Sequence, residues 1–583
     1  MEERRWFKSY DPGVPFTLEP YPERTLVDVV ADTVKERPDH TALIFKGKRM
    51  TYAEMERHTN ALAAGLLEMG VQKGERVALV LPNCPQAVIG QIGAWKAGAI
   101  VAPMNPLYTE RELEYSLVEI GAETVVVLSA FYAKIKAVQP RTQVKRVIVT
   151  SIKEHLAPVT RLLFTLAMEN KQGHRAAIEP GDHKFAEILR RHAGAKPPAT
   201  LPGPHDPAIL LFSGGTTGTP KAALGTHLGL LQCAMQMQAY ARSVLEDWND
   251  TLTWVMPAFH VYGNTALNSA LVARWPLAVV PNPRDINDLV ATIRKVRPAC
   301  LHGVPTLFIA LLNHPDVRSG KADIKSMKIC WSGAAPLMAE TKQRFEELTG
   351  GWLLEAYGMT ETMLAAACCP IHREYKQGSV GVPLPDVDMR VVDVDTGEVE
   401  LPAGEVGEII IQAPQTMLGY WERPTETMNM IREGPKGGPG GRWVYTGDLG
   451  SIDADGYVFI VDRKKDLIKP GGFQVWPREV EEVIAAHPAV AEVSVAGVPD
   501  ERLGEAVKAW IVLRPGQQVT VEEIRTYCRE RLTGYKVPRL VEFRDSLPKT
   551  MVGKVLRREL TREEAPAAET ATSAGTSHSE QAG

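Results

Sequence analysis

The chain has 583 residues, of which 44% are hydrophobic and 23% are charged. This length exceeds what one hydrophobic core usually supports and predicts two to four domains. The formal net charge of −4 argues against a general nucleic-acid-binding protein, because such proteins are usually basic. No run approaches the roughly 18 apolar residues that a membrane-spanning helix needs.

The sequence also indicates where the protein resides. The first residues, MEERRWFKSYDPG, are charged and lack the apolar stretch of a secretion signal. The seven cysteines include no CxxC pair, and Cys368 and Cys369 are adjacent, which is poor geometry for a disulfide. A sparse set of this kind is typical of a reducing cytoplasm. We therefore expect a cytoplasmic protein that is soluble or peripheral to a membrane.

Short apolar runs alternate with helical patterns from about residue 40. Continuous apolar runs predict buried strands at 75–83, 123–129, 146–150 and 208–212, as expected when helices cover both faces of a sheet. Apolar residues at three- and four-residue spacing predict a helix over 51–70. The alternation indicates an α/β architecture.

The pattern changes near residue 380. Residues 389–412 are short strands joined by turns that contain Gly and Pro, which predicts a small antiparallel barrel or sheet. The charged cluster at 463–466 is a predicted linker, and we place the main boundary at about 462–466. A small α+β unit follows, with helices near 476–488 and 520–532. In the second helix, Thr520 and Glu523 have the spacing of a capping box.

Residues 155–175 combine clustered Leu and Phe with nearby basic residues and have no evident strand partner. Two interpretations remain open. The segment is either a surface helix packed on its own domain or an amphipathic patch that contacts a membrane or guides a lipid substrate.

A loop rich in Gly, Ser and Thr, within LLFSGGTTGTPKAAL (210–224), carries the strongest functional signal. It follows a predicted strand and ends in Lys221. Glycines allow several backbone N–H groups to converge on anionic oxygens, hydroxyls add donors, and the lysine adds positive charge, as a polyphosphate requires. Pro220 and Ala222 flank the lysine, so the Walker frame does not fit. The predicted phosphate-binding residues are Ser213, Gly214, Gly215, Thr216, Thr217, Gly218, Thr219 and Lys221.

This loop resembles the phosphate-binding loop of the adenylate-forming (AMP-binding) superfamily. Further motifs of that superfamily follow in its usual order, and the resemblance extends roughly from residue 25 to 560. They are SGAAP (332–336), EAYGMTET (355–362), YTGDLG (445–450), DRKKDLIKPGGFQVWP (462–477) and PKTMVGKVLRREL (548–560).

The resemblance implies a fold and a domain order. It implies a large N-terminal region (1–462) of two α/β subdomains plus a β-barrel, with the ATP and acyl sites. A hinge at 463–466 leads to a small, mobile α+β domain at 467–562, and 563–583 is expected to be a disordered tail because it has no large apolar residue to bury.

The resemblance also implies roles for individual residues. Glu361 matches the Mg²⁺ ligand, which Ser213 assists, and Thr217 is assigned to catalysis as well as to phosphate binding. Thr360 matches a residue near the α-phosphate. Asp448 matches the carboxylate that accepts hydrogen bonds from the ribose hydroxyls, and Arg463 matches a second contact to the ribose or phosphate. The predicted adenine slot consists of Gly333, Ala334, Ala335, Glu355, Ala356 and Tyr357.

By the same resemblance, the acyl pocket is expected to be bordered by Phe259, His260 and Gly263. Gly263 and Gly333 lack side chains that would block a tunnel, which favours a long acyl chain. The stretch 96–115 also resembles long-chain ligases more than peptide-synthetase domains.

Two lysines are expected to act in different half-reactions. By resemblance, Lys554 reaches into the site during adenylation, whereas Lys469, with Gly471 and Gly472, belongs to the region that meets the pantetheine arm of coenzyme A. Lys465 occupies the hinge position about which the small domain rotates.

The combined prediction is an acid–thiol ligase that activates a medium- or long-chain fatty acid with ATP and Mg²⁺ and transfers it to coenzyme A. One alternative is an adenylate-forming enzyme that uses an aryl or other acid or a different acceptor. Another is an inactive binding protein, against which Lys221, Glu361, Asp448 and Lys554 together argue. The oligomeric state is not fixed by the sequence, and a homodimer is one alternative.

Overall fold

The computed structural model describes residues 4–213, 220–473, 475–500, 502–550 and 555–562. Contacts divide these residues into two units. The described parts of Met1–Thr446 and Gly450–Ile460 form the first unit, and those of Gly447–Leu449 and Val461–Gly583 form the second. The boundary falls inside two strands, Trp443–Ile452 and Val458–Arg463.

The first unit contains a nine-stranded sheet whose six central strands are parallel. Antiparallel strands flank them at both ends. In spatial order the strands are Val382–Pro383, Leu364–Cys368, Trp352–Met359, Ile329–Ser332, Cys300–Gly303, Leu252–Trp254, Leu277–Val279, Thr41–Phe45 and Lys48–Thr51.

A second, eight-stranded sheet of this unit is also parallel at its centre. Thr124–Leu128 lies inside it and is buried along its whole length. Burial of each of its valines contributes about 1.5–3 kcal/mol, which explains the continuous apolar run. In spatial order the strands are Gly419–Tyr420, Lys221–Thr226, Pro207–Ser213, Ile100–Met104, Arg76–Val80, Thr124–Leu128, Arg146–Thr150 and His183–Lys184.

Helices surround these sheets, and several begin at a Thr whose side chain completes a capping box, as Thr51 does with Glu54. The helices of the first unit are Leu26–Glu36, Tyr52–Glu68, Pro85–Lys96, Glu110–Glu119, Tyr132–Val138, Pro158–Ala167, Phe185–Arg191, His227–Ala241, Val261–Ala273, Ile286–Val296, Pro305–Asn313, Pro315–Arg318, Ala339–Thr349 and Pro424–Met430.

A third sheet has five strands and corrects one prediction. Asp388–Val392 and Gly407–Gln412 pair antiparallel, as the sequence predicts, but the sheet is not a closed barrel in the described part of the chain. Closure requires the outer strands to pair. Here the outer strand Ile431–Arg432 is only two residues long and pairs with Trp443–Ile452, not with the outer strand at the other end, Asp388–Val392. The fifth strand, Val458–Arg463, also pairs with Trp443–Ile452.

The second unit contains a three-stranded sheet, Val490–Asp500, Gly504–Leu513 and Leu540–Phe543, and the helices Pro477–Ala485, Val521–Arg529 and Arg557–Arg562. Apolar residues of the first two helices and of the sheet form one core, which includes Val480, Ile484 and Ile524. The capping box of Thr520 and Glu523 is confirmed, because each accepts a hydrogen bond from the backbone N–H of the other.

Candidate active site

The two ends of the predicted phosphate-binding loop are held together by an antiparallel strand pair. Ser213 ends strand Pro207–Ser213, Lys221 begins strand Lys221–Thr226, and the two residues are direct partners in the pair. The Ser213 hydroxyl donates to the Lys221 carbonyl at 3.3 Å. Gly214, Gly215, Thr216, Thr217, Gly218 and Thr219 lie outside the described residues. Ala222, one position after the lysine, is fully buried inside the second strand.

The Lys221 ammonium lies 4.9 Å from the centre of the Tyr420 ring, within cation–π range. The Tyr420 hydroxyl donates a hydrogen bond of 2.6 Å to Oε1 of Glu361. Burial and the Glu361 carboxylate raise the pKa of Tyr420 well above its usual range, so the hydroxyl remains a donor. Two predicted site residues, 140 positions apart in the numbering, therefore contact the same side chain.

Glu361 is buried and lies in the short turn Thr360–Thr362, which follows strand Trp352–Met359. Thr360, predicted near the α-phosphate, begins this turn and accepts a hydrogen bond from the Met363 N–H at 3.1 Å. The turn therefore positions Thr360 and Glu361 side by side at the end of a parallel strand, where ligand sites of α/β folds usually lie.

The exit of the phosphate-binding loop has a second set of contacts, which the sequence did not indicate. The Tyr115 hydroxyl donates to the Pro220 carbonyl at 3.2 Å. Arg423 donates to that hydroxyl at 3.3 Å and binds both carboxylate oxygens of Glu119 at 2.9 and 2.8 Å. Helix Glu110–Glu119 is thereby joined to the residue that precedes Lys221.

The residues predicted for the adenine slot lie in strand Trp352–Met359 and in the segment that directly follows the neighbouring strand Ile329–Ser332. Ser332, the last residue of Ile329–Ser332, pairs with Glu355 of Trp352–Met359. A Cβ on Gly333 would lie 3.4 Å from the Tyr262 ring and 3.5 Å from the Ala356 carbonyl, an ordinary contact distance. This register places Gly333 beside Ala356, and the other predicted slot residues adjoin these two in the chain: Ala334 and Ala335 follow Gly333, and Glu355 and Tyr357 flank Ala356.

Glu355 has a structural role of its own. Its buried carboxylate accepts a hydrogen bond from the Leu337 N–H at 3.2 Å and one from the Tyr375 hydroxyl at 2.9 Å. Burial and Glu355 raise the pKa of Tyr375 well above its usual range. The carboxylate thus fixes the chain that follows SGAAP.

The predicted acyl-pocket residues lie at the start of helix Val261–Ala273. His260 is the N-cap of this helix, and its Nδ1 accepts a hydrogen bond from the Tyr262 N–H at 3.2 Å. Phe259 is half-buried. A Cβ on Gly263 would lie 2.1 Å from the Pro257 carbonyl oxygen and 2.4 Å from that of Met256. Close backbone packing therefore requires glycine at 263, independently of any tunnel.

In the second unit, Asp448 and Arg463, both predicted to contact the nucleotide, form an ion pair. Oδ1 of Asp448 and Nε of Arg463 are 3.0 Å apart. Desolvation and the charge of Arg463 lower the pKa of Lys465, the predicted hinge residue, to about 8.

Lys469 and the two glycines that follow form a turn beside the three-stranded sheet. The Lys469 N–H donates to the Glu505 carboxylate at 2.7 Å, and the Gly471 N–H donates to the Leu503 carbonyl at 2.9 Å. Gly471 has a φ of +59°, in the left-handed region that favours glycine, and Gly472 ends the turn.

Lys554 lies outside the described residues, but the segment after it is anchored. Arg557 donates to Glu481 at 2.7 Å, to Asp466 at 3.0 Å and to Asp462 at 3.3 Å. Asp466 is the last residue of the predicted hinge 463–466, so this arginine joins the hinge to the segment that carries the predicted catalytic lysine.

Comparisons with known proteins agree with these motifs. Residues 30–421 match the family of AMP-binding enzymes, and residues 479–554 match the AMP-binding enzyme C-terminal domain. A long-chain-fatty-acid–CoA ligase of Bacillus subtilis (strain 168) is 39% identical over 97% of this chain and 99% of its own. One of Yersinia pestis is 38% identical over 96% and 98%, respectively.

The fold is similar to that of solved adenylate-forming structures. The crystal structure of ATP-bound MatB from Rhodopseudomonas palustris has a TM-score of 0.79 and 30% sequence identity, over 93% of this chain and 99% of that one. The sequence match, the near-complete coverage and the shared fold give one conclusion: the chain belongs to the family of AMP-binding enzymes.

Proposed function

We propose that this protein is an AMP-forming fatty acid–CoA ligase that acts on medium- or long-chain acids. The observation that carries the proposal is the convergence of Lys221 and Glu361 on Tyr420 beside the phosphate-binding hairpin. Relatives at 38–39% identity over nearly the whole chain are named long-chain-fatty-acid–CoA ligases, which favours a fatty acid over an aryl acid.

The reaction needs two steps because a carboxylate is a poor electrophile. In the first step, a carboxylate oxygen attacks the α-phosphorus of ATP, the bond to the β-phosphate breaks, and pyrophosphate leaves. In the second step, the thiolate of coenzyme A attacks the acyl carbonyl, and AMP leaves with the bonding electrons. Cations and N–H donors stabilise the charge that develops on the phosphate oxygens in the first step.

The described residues fit a Mg²⁺ ion that arrives with ATP. Glu361 supplies a buried carboxylate and Ser213 a half-buried hydroxyl, both hard oxygen donors. Among the described residues, no cluster of three or more Asp, Glu, His or Cys side chains could hold a metal. A nucleotide-bound Mg²⁺ requires only one or two protein carboxylates, because phosphates and waters supply the remaining ligands. When bound, Mg²⁺ would neutralise phosphate charge.

The remaining assignments follow the resemblance. Thr360 and Lys221 contact phosphates, and Gly333, Ala334, Ala335, Glu355, Ala356 and Tyr357 line the base slot. Phe259, His260 and Gly263 border the acyl chain. Asp448 binds the ribose hydroxyls, and Arg463 contacts the ribose or phosphate. Residues 463–466 act as a hinge between 1–462 and 467–562, and the pair of Arg557 and Asp466 at 3.0 Å supports a mechanical role for this segment.

A panel of acids tests the proposal. Purified protein is given ATP, Mg²⁺ and each of several fatty and aryl acids, and AMP release is measured with and without coenzyme A. The proposal predicts AMP release that depends on coenzyme A and is fastest with a fatty acid. Preference for an aryl acid, or transfer to an acceptor other than coenzyme A, would support the alternative functions instead.

We also propose that helix Pro158–Ala167 contacts a membrane surface. Its apolar residues Val159, Leu162, Leu163 and Leu166 recur at the spacing of one helix face, yet they are 72%, 59%, 60% and 76% exposed. An ordinary surface helix buries this face against its own domain. A helix with its apolar face in solvent is typical of peripheral membrane proteins.

The opposite side of the helix anchors it to the protein. Phe164 is half-buried, packs against the core and contacts the His174 ring at a centroid distance of 5.5 Å. Lys153 and Glu169 form an ion pair of 2.6 Å across the segment. These contacts hold the helix with its apolar face toward solvent. A helix packed on its own domain would instead bury that face.

The charge of the surroundings favours an anionic lipid surface. Arg161, Lys171 and Arg175 are exposed, and none forms an ion pair with another described residue. Each basic residue near an anionic membrane contributes about 1 kcal/mol to binding. Within the described residues, no helix combines the length and apolar character that a bilayer crossing requires.

Flotation with liposomes of anionic phospholipid tests this contact. A Leu162→Ser, Leu166→Ser variant should float less than the wild type. The matched control, Val399→Ser with Val406→Ser, changes two exposed apolar residues elsewhere and should float as the wild type does. Equal flotation of all three proteins would contradict the proposal.

Sedimentation of the protein without lipid would test whether it forms a homodimer.

A further inference from the structure

Tyr420 lies in a position fixed by backbone contacts to the strand that begins at Lys221. Tyr420 pairs with Ala223, and the flanking Leu418 and Trp421 N–H groups donate to the carbonyls of Leu224 and Ala222, each at 2.8 Å. These bonds hold Tyr420 against the exit strand of the phosphate-binding loop.

The same segment is also bonded to the turn that carries Glu361. The Met417 N–H donates to the Glu361 carbonyl at 2.9 Å, and the Tyr420 hydroxyl donates to the Glu361 carboxylate at 2.6 Å. The backbone and the side chain of Glu361 are thus both fixed by residues 417–420. Only 6% of Tyr420 and 6% of Glu361 are exposed, so these contacts form away from water.

One side chain therefore contacts two oppositely charged residues of the proposed ATP site, Lys221 and Glu361. The face of the Tyr420 ring is 4.9 Å from the Lys221 ammonium, while its hydroxyl binds the Glu361 carboxylate. A carboxylate has about four lone-pair sites, so one hydroxyl fixes its rotation without using its capacity to bind a cation.

We propose that Tyr420 is a positioning residue that orients Glu361 for the Mg²⁺ of ATP and holds the Lys221 ammonium at the exit of the phosphate-binding loop. This inference rests on the proposed function only in taking MgATP as the ligand. It does not depend on which acid the enzyme uses. Preorganised charges stabilise a transition state without the cost of rearrangement, so the benefit is expected in both nucleotide binding and turnover.

The two contacts can be separated by substitution. Tyr420→Phe keeps the ring beside Lys221 and removes the hydroxyl from Glu361, whereas Tyr420→Leu removes both contacts. The matched control is Tyr132→Phe, because Tyr132 is a buried tyrosine of the same unit whose hydroxyl also donates to a carboxylate, that of Asp182, which is not among the proposed site residues.

The measurement is the dissociation constant of ATP by calorimetry over a series of Mg²⁺ concentrations. Tyr420→Phe should raise the Mg²⁺ concentration for half-maximal ATP binding about tenfold, as expected for a hydrogen bond to a charged group. Its affinity for ATP without Mg²⁺ should match that of the wild type. Tyr420→Leu should weaken ATP binding with and without Mg²⁺, and Tyr132→Phe should change neither.

A double-mutant cycle with Glu361→Gln separates positioning from a merely structural role. Tyr420→Phe should have no further effect on the Mg²⁺ requirement once Glu361 is replaced. Additive effects of the two changes, or the same Mg²⁺ requirement in Tyr420→Phe as in the wild type, would overturn the inference. Wild-type protein that binds MgATP but forms no thioester would overturn the proposed function while leaving this test valid.

Discussion

The guanidinium Nε of Arg463 lies 3.0 Å from Oδ1 of Asp448, and the aspartate side chain is only 7% exposed. Arg463 is the first residue of the predicted hinge, so the pair joins a proposed ribose-binding carboxylate to the segment about which the small domain is expected to rotate.

Asp448→Asn should therefore weaken ATP binding about tenfold or more. The amide keeps the size of the side chain but removes the ion pair and places an N–H donor beside the donors of Arg463. Calorimetry with ATP gives the affinity. Asp323→Asn, at an exposed ion pair with Arg297, is the control and should bind ATP normally, because exposed pairs contribute little. Unchanged affinity in Asp448→Asn would contradict the assignment.

Glu361→Gln should lower the rate of AMP formation by at least about a hundredfold, because a neutral amide is a weaker ligand for Mg²⁺. Gln is preferable to Ala, since Ala would leave the buried Tyr420 hydroxyl without its acceptor at a cost of about 1–3 kcal/mol. Steady-state rates and melting temperatures are measured together. Glu347→Gln, an exposed residue on helix Ala339–Thr349, is the control. A near-normal rate in Glu361→Gln would exclude it as the metal ligand.

Lys554 and Lys469 should affect different half-reactions. Lys554→Ala should block formation of acyl-adenylate from acid and ATP, yet convert supplied acyl-adenylate and coenzyme A to thioester. Lys469→Ala should retain adenylation and slow thioester formation. Lysine suits both roles because it is a mobile point charge. Rapid-quench assays of each half-reaction decide the matter. Loss of the same half-reaction in both variants, or of neither, would rule out separate roles.

His302 should make the protein less stable as the pH falls. Its ring is buried, stacks on Tyr262 at 5.6 Å and meets Trp331 edge-on at 5.0 Å. Burial lowers the pKa of His302 to about 3. The unfolded residue protonates below about pH 6.5, whereas the folded residue stays neutral, so stability is full above that pH and falls as the pH decreases toward 3.

The expected contribution of His302 is a loss of about 2 kcal/mol at pH 5. His302→Phe removes the titrating group and keeps an aromatic ring, so the free energy of unfolding should depend less steeply on pH than in the wild type. Denaturant titrations across this range measure the slope. His205→Gln, at an exposed position, is the control. The same slope in His302→Phe and the wild type would show that other groups account for the acid sensitivity.

Local pattern predicted much of the fold. The strand Arg146–Thr150 matches its predicted bounds, and the bounds of the strands at 76–80, 124–128 and 207–213 lie within three residues of those predicted. These predictions succeeded because a strand buried on both faces must be apolar throughout. The pattern at 389–412 left a barrel or a sheet open, and the described strands form a sheet that is not closed. Closure depends on which distant strands pair, and no local pattern encodes that pairing.

The site was predicted mainly through resemblance, and long-range contacts were missed. Tyr420 is 59 positions from Glu361, and Tyr115 is 105 positions from Pro220, so neither contact has a local sequence signal. Gly263 was interpreted as leaving space for an acyl chain, yet the nearby carbonyl oxygens of Met256 and Pro257 require glycine there. Only the folded backbone shows which of these distances are short.

The central claim is that the acid is activated by direct attack of its carboxylate on the α-phosphorus of ATP before transfer to coenzyme A. Palmitate labelled with oxygen-18 in its carboxylate, together with ATP, Mg²⁺ and coenzyme A, tests this most directly by mass spectrometry of both products. The account predicts palmitoyl-CoA that retains one labelled oxygen and AMP that carries the other. Label in inorganic phosphate, unlabelled AMP, or the absence of any thioester would contradict it.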